Sequence, residues 1–122
     1  NNFIFLSASF KGYTRKKKEI EKDFKFFKKK KEISQPSKIK TGGSTFKNPL
    51  DQSDKKVWEL IEESVPLDIS FGDAAISNKH YNFLVNKGNA TFNDMKNLVE
   101  YIQKKVKSKT GVSLETEIEI VD

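Results

Sequence analysis

Between Thr91 and Gly111 the chain carries a complete helix signature. Thr91-Phe92-Asn93-Asp94 has the pattern of a capping box, in which the Thr hydroxyl accepts an early helical N–H and Asp94 sits near the positive helix end. Phe92, Met95, Leu98, Val99, Ile102 and Val106 then follow along one face. Lys107 and Lys109 suit the negative end, and Gly111 supplies a left-handed stop. A helix that is apolar along one face has to bury that face. With 122 residues, 35% of them hydrophobic and 33% charged, the chain can build one modest core around it, and its ten Phe supply bulk for packing.

The remaining segments show which elements surround that helix. Residues 3 to 10, FIFLSASF, are short, apolar and aromatic and stop at Gly12, which predicts a strand that needs partners upstream. From Thr14 to Ile33, the positions Ile20, Phe24 and Phe27 recur at i, i+4, i+7 among lysines, which predicts an amphipathic helix with a wet lysine face. Gln35-Pro36-Ser37 ends it, and a domain boundary is expected at about residue 38. Thr41 to Pro49 reads as a glycine-led turn running into a short extended segment. Val57, Leu60, Ile61 and Val65 predict a helix over roughly 54 to 65, closed by Pro66, with Trp58 packed beside its stripe. Asp68 to Phe71 and Phe83 to Val85 are candidate strands separated by Gly72 and a polar loop. Leu114, Thr116, Ile118 and Ile120 alternate with Glu115, Glu117 and Glu119, as in a half-buried strand.

Several function classes are disfavoured at once. Without Cys there are no disulfides or thiolate ligands, and a single His argues against a histidine metal site, so no metal is expected. No apolar run approaches a membrane span, and FIFL lacks the flank and length of a signal peptide, so a cytosolic protein without membrane contact is expected. The chain opens Asn1-Asn2 without an initiator Met and is read as a fragment of something longer. Its charge of +6 is uneven: residues 11 to 40 hold 13 of the 23 Lys and Arg against 4 of the 17 Asp and Glu, a local +9, leaving −3 elsewhere. A basic nucleic-acid-binding module on residues 14 to 33 is the rival reading, with phosphate contacts from lysine and base stacking on Phe24, Phe26 and Phe27. Those phenylalanines follow core spacing, however, and Arg15 is the only arginine, so a solvated face is favoured and no nucleic-acid partner is expected.

Three places could carry chemistry. In Gly42-Gly43-Ser44-Thr45-Phe46-Lys47-Asn48-Pro49 two glycines allow close backbone approach, while a hydroxyl, a cation and an amide follow. That suits an anionic or oxygen-rich ligand and matches neither GxxxxGK[ST] nor GxGxxG. Taken alone, it is an ordinary glycine turn. The strand carboxylates Glu115, Glu117 and Glu119 read as a solvated sheet face, and nothing in their spacing selects one of them. His80, beside aromatics and with no metal-spaced partner, reads as structural.

Taken in order, these phrases resemble one family, the MurB reductases (UDP-N-acetylenolpyruvoylglucosamine reductases). Gly43 to Pro49 resembles their GSTFKNP motif, and Ser77-Asn78-Lys79-His80-Tyr81-Asn82-Phe83-Leu84-Val85-Asn86 resembles their S-x-K-H-x-N-F-x-x-N segment. Gly88 to Thr91 resembles G-x-A-T, Gly111 to Glu117 resembles G-x-x-L-E-x-E, and Ser34-Gln35-Pro36 resembles the connector before the serine motif. The resemblance covers nearly the whole chain.

It implies the C-terminal part of an enzyme that reduces UDP-N-acetylglucosamine enolpyruvate to UDP-N-acetylmuramate in peptidoglycan precursor synthesis, using NADPH and bound FAD. The flavin carries the redox chemistry and the protein supplies orientation and protons. By resemblance Ser44 is the proton donor to the α carbon, and Glu117 steadies the enol-like intermediate together with an arginine. A glutamate beside an enolate helps if it is protonated, so Glu117 is expected to hold a proton in the complete site. Asn48 is expected to bind substrate, with Lys47 as a further candidate. The flavin contacts and the catalytic arginine belong to an upstream FAD-binding domain, so no cofactor-binding residue is expected in this chain and Arg15 receives no role. The implied architecture is α+β. Residues 1–37 form the tail of the FAD domain and its connector helix, and 38–122 form the substrate domain, a small sheet packed against helices. Alone, the chain is expected to be inactive.

Overall fold

The computed structural model describes residue 4 and residues 6–36 and 38–121. Three helices and a four-stranded antiparallel sheet make an α+β fold. The helices are α1 (Lys17–Ser34), α2 (Val57–Ser64) and α3 (Phe92–Thr110); the strands are β1 (Lys40–Ser44), β2 (Ser70–Phe71), β3 (Ala74–Ile76) and β4 (Phe83–Asn86). Their order across the sheet is β1-β4-β3-β2.

The 91–111 signature forms the expected helix, although Phe92 at its start is exposed. The Thr91 hydroxyl accepts the Asp94 amide (3.1 Å) and the Asp94 carboxylate accepts the Thr91 amide (2.8 Å), which closes the capping box. Gly111 ends the helix at φ 78°, with its N–H donating to Lys107 O. Leu98, Val99, Ile102 and Val106 are buried. They meet Val57, Leu60 and Ile61 of α2, together with Ala74, Ile76 and Leu84 of the sheet. Because side chains alternate along a strand, Ala75, Phe83 and Val85 point to the opposite face, where they are also buried.

The same cap makes acid stability depend on one carboxylate. Hydrogen bonds from the Thr91 backbone N–H, and then from its hydroxyl, hold the Asp94 carboxyl below its ordinary value. A depressed folded value contributes stability above the unfolded value, about 3.9 for Asp, and that contribution is lost as pH falls toward the folded value. Thermal melts of the wild type and Asp94→Asn should therefore differ at neutral pH and converge below about pH 4. A gap that stays constant into acid would refute the linkage.

Trp58, expected to pack beside the α2 stripe, is exposed, and four further expectations are corrected. The strand over residues 3–10 is not formed by its described members, 4 and 6–10, which are exposed and unpaired; residues 3 and 5 lie outside the described residues. A single hydrophobic strand needs neighbours, and none of the described strands takes it up. Helix α1 forms, but Ile20, Phe24 and Phe27 are exposed instead of packed, because α2 and α3 already close the core. The polar loop after Gly72 contains β3, whose Ala-Ala-Ile is too short and too weakly β-forming to stand out. The closing strand is reduced to one antiparallel bridge, Phe46 to Thr116, since Pro49 lacks the N–H that continued pairing requires. Its alternation survives: Leu114 is buried, Thr116 and Ile118 are half-buried, and the three glutamates are exposed.

Candidate functional site

Ser44 ends β1, at a place where the chain cannot run as a regular strand. Thr41 pairs with Val85 and Ser44 with Phe83, so three steps on β1 oppose two on β4. The extra residue makes a bulge, and Gly43 sits there at φ 90°, a conformation open to glycine and strained for other residues. Thr41 anchors the approach by donating its hydroxyl to Leu84 O (2.7 Å). A Cβ placed on Gly43 would meet nothing within 4 Å, so the backbone beside Ser44 is open to a large partner. Ser44 itself is half-buried, and no hydrogen bond occupies its hydroxyl among the described residues.

Beyond Ser44, the chain is held on both edges. On one edge the Glu117 amide donates to Thr45 O (2.8 Å) and the Lys47 amide donates to Glu115 O (2.9 Å). On the other, the buried Asn82 side chain accepts from the Phe46 amide and donates to Phe46 O, both at 2.9 Å, while Asn82 O accepts from the Thr45 amide (2.8 Å). Ser44 and Glu117, far apart in sequence, are thereby brought onto adjoining segments. Glu117 is exposed, as are Glu115 and Glu119.

The other expected site residues have local partners. Lys47 pairs with Glu115 through exposed side chains, an arrangement of small energetic worth. The Asn48 side-chain oxygen accepts the Val57 amide (3.1 Å) and so satisfies a free donor at the start of α2. This is a structural task that the sequence reading did not assign. His80 stands edge-on to Phe83, with ring centroids 4.8 Å apart, and its Nδ1 accepts the Asn82 amide (3.3 Å). Desolvation lowers its pKa below the ordinary histidine value. Asn82 is the residue that sequence reasoning missed, and the available signal was an amide side chain enclosed by Tyr81 and Phe83.

Two depressions flank this region. One of about 180 Å³ is apolar and lined by Gly42, Thr45, Leu84, Met95, Val99 and Ile118. Another of about 440 Å³ includes Lys38, Lys79, Lys87, Ser77 and Asn78. Neither is lined by Ser44 or Glu117. Among the described residues no cluster of His, Cys, Asp or Glu could hold a metal ion, and no helix is long and apolar enough to cross a membrane.

Fold and site together define a small α+β domain that presents a serine on a bulged edge strand beside a carboxylate-bearing segment. Residues 35–121 match the C-terminal domain of UDP-N-acetylenolpyruvoylglucosamine reductase, and the chain belongs to that family. It is 62% identical over 120 residues to the UDP-N-acetylenolpyruvoylglucosamine reductase of Pelagibacter ubique, covering 98% of this chain and 40% of that protein. With the reductase of the same name from Beijerinckia indica it is 41% identical over 94% of this chain and 36% of that protein. The crystal structure of UDP-N-acetylenolpyruvylglucosamine reductase (MurB) from Thermus caldophilus aligns with a TM-score of 0.64 and 34% identity, over 88% of this chain and 36% of that one. The chain thus spans well under half the length of these relatives.

Proposed function

We propose that this chain is the substrate-handling part of an oxidoreductase that converts UDP-N-acetylglucosamine enolpyruvate to UDP-N-acetylmuramate in peptidoglycan synthesis, with NADPH as reductant and FAD as bound cofactor. The observation that supports the reading is the backbone hydrogen bond from the Glu117 amide to Thr45 O, which joins the segment that carries the motif serine to the one that carries the motif glutamate. FAD, when bound by the remainder of the protein, supplies hydride transfer to the β carbon of the enolpyruvyl group. The residues here fit the substrate end of that reaction: an open glycine backbone, an uncommitted hydroxyl and a carboxyl group.

Ser44 gives its proton to the α carbon as negative charge accumulates there. Glu117, with a cation from outside this chain, stabilises the enolate so that so weak an acid as an alcohol can act. Lys47 and Asn48 contribute to substrate binding; Asn48 retains its amide N–H donors for that purpose while its oxygen caps α2. Residues 1–37 belong with the flavin-bearing domain. Support comes from the family match, which begins at residue 35, and from the apolar side chains of α1, which find no cover among the described residues. We assign the reaction to the cytoplasm, in keeping with the absence of Cys.

The test is a pair of half-reactions on the full-length protein. NADPH should bleach the flavin, and the enolpyruvyl UDP-sugar should restore its colour, with solvent deuterium appearing at the α carbon of the product. A reduced flavin that the sugar nucleotide leaves untouched would exclude the assignment.

A further inference from the structure

The backbone that follows Ser44 is held by a side chain from the segment just before β4. In an extended strand, the N–H and C=O of one residue point to the same edge. For Phe46 that edge carries no neighbouring strand, and the carboxamide of Asn82 fills the place: Oδ1 takes the Phe46 N–H, and Nδ2 donates to the Phe46 C=O, each at 2.9 Å. The opposite edge is occupied by the Glu115 carbonyl and the Glu117 amide. Asn82 is 4% exposed, so water cannot readily replace it. The main chain of Asn82 also receives the Thr45 N–H, and His80 Nδ1 accepts the amide of Asn82.

We infer that Asn82 is the positioning residue for Ser44, fixing the serine relative to Glu117 by acting as a one-residue strand along Phe46. This rests on the reading of Ser44 as proton donor. It adds a specific chemical requirement: position 82 must offer an acceptor and a donor side by side. A neutral carboxylic acid meets that requirement, with C=O accepting and O–H donating, whereas a carboxylate presents a second acceptor to the Phe46 carbonyl.

Asn82→Asp in the full-length protein therefore makes a pH-dependent switch. At pH 8 reoxidation of reduced flavin by the enolpyruvyl UDP-sugar should slow by about 10²-fold, the scale set by misplacing a reacting group by an ångström. Flavin reduction by NADPH should stay at the wild-type rate. Lowering the pH should restore reoxidation in Asn82→Asp relative to wild type as the buried carboxyl takes up its proton. Asn82→Ala should be slow at every pH, with faster exchange of the Phe46 amide. Wild-type reoxidation in both variants at pH 8 would overturn the inference, as would an equal fall of both half-reactions or an Asn82→Asp defect independent of pH. Ser44→Ala, run in parallel, separates the two ideas. If Ser44→Ala reoxidises normally, the proton-donor reading fails; if Ser44→Ala is slow and the Asn82 variants are normal, only the positioning role fails.

Discussion

Ser44→Ala in the full-length protein should leave flavin reduction by NADPH unchanged and slow reoxidation by the enolpyruvyl UDP-sugar by about 10²- to 10⁴-fold, the range removed with a positioned general acid. The asymmetry follows from where the proton is needed. On the proposed reading, reduction of the flavin draws on no group of β1. In the proposed reaction, hydride arriving at the β carbon would put charge on the α carbon and its carboxylate, and only then would a proton be required. Ser44 is suited to the task because its hydroxyl is free of internal hydrogen bonds among the described residues. The substitution removes one oxygen from a half-buried position, so folding should be little affected. Stopped-flow flavin absorbance measures both rates. Normal rates in both half-reactions would reject Ser44 as donor, and a proportional fall in both would indicate lost fold instead of lost chemistry.

Phe46→Ala should destabilise the chain by about 3–5 kcal/mol, the usual cost of emptying an aromatic site in a core. Phe46 is 1% exposed and packs within the cluster formed by α2, α3 and the sheet. Its backbone would still be clamped by Asn82 and by the 115–117 segment, so the surroundings have little freedom to collapse into the void. Against a typical total of about 5–15 kcal/mol, such a loss is a large share of the stability. With a urea slope of about 1–3 kcal/mol/M, the midpoint should fall by at least about 1 M. Phe24→Ala, on the exposed side of α1, should move it by no more than about 0.5 kcal/mol in the same experiment on this chain. Equal shifts for the two would mean that Phe46 is not the anchor its burial indicates.

The parts legible in the sequence were those governed by neighbours along the chain. Helix α3 announced itself because its cap, stripe and glycine stop lie within 21 residues, and α2 was readable from its apolar stripe and the proline that follows. The order of strands was not readable, since β1 and β4 are separated by the whole of α2, β2 and β3. Thr41 to Pro49 reads as a glycine-led turn running into an extended segment because its two glycines depress strand propensity, and only pairing with β4 makes Lys40 to Ser44 a strand. The candidate site divided along the same line. Ser44, Lys47, Asn48 and Glu117 could be named from motif resemblance, yet nothing local told that Asn48 caps a helix or that Asn82 grips Phe46 from 36 residues away. Contacts of that range are set by topology, which a pattern of residue types does not carry. Helix α1 shows the converse: its periodicity correctly gave a helix, but periodicity says nothing about which surface covers the stripe.

The bulge in β1 makes residue count as consequential as residue identity. Successive side chains on a strand face opposite ways, so the surplus residue between Thr41 and Ser44 decides which side of the sheet receives the serine. Removing either glycine would leave Ser44, Lys47 and Asn48 in the chain and still turn the serine side chain to the other face of the strand. In this segment, spacing is therefore a heritable part of the proposed site, and deleting one small, chemically silent residue should be as damaging to the proposed role as loss of the serine itself.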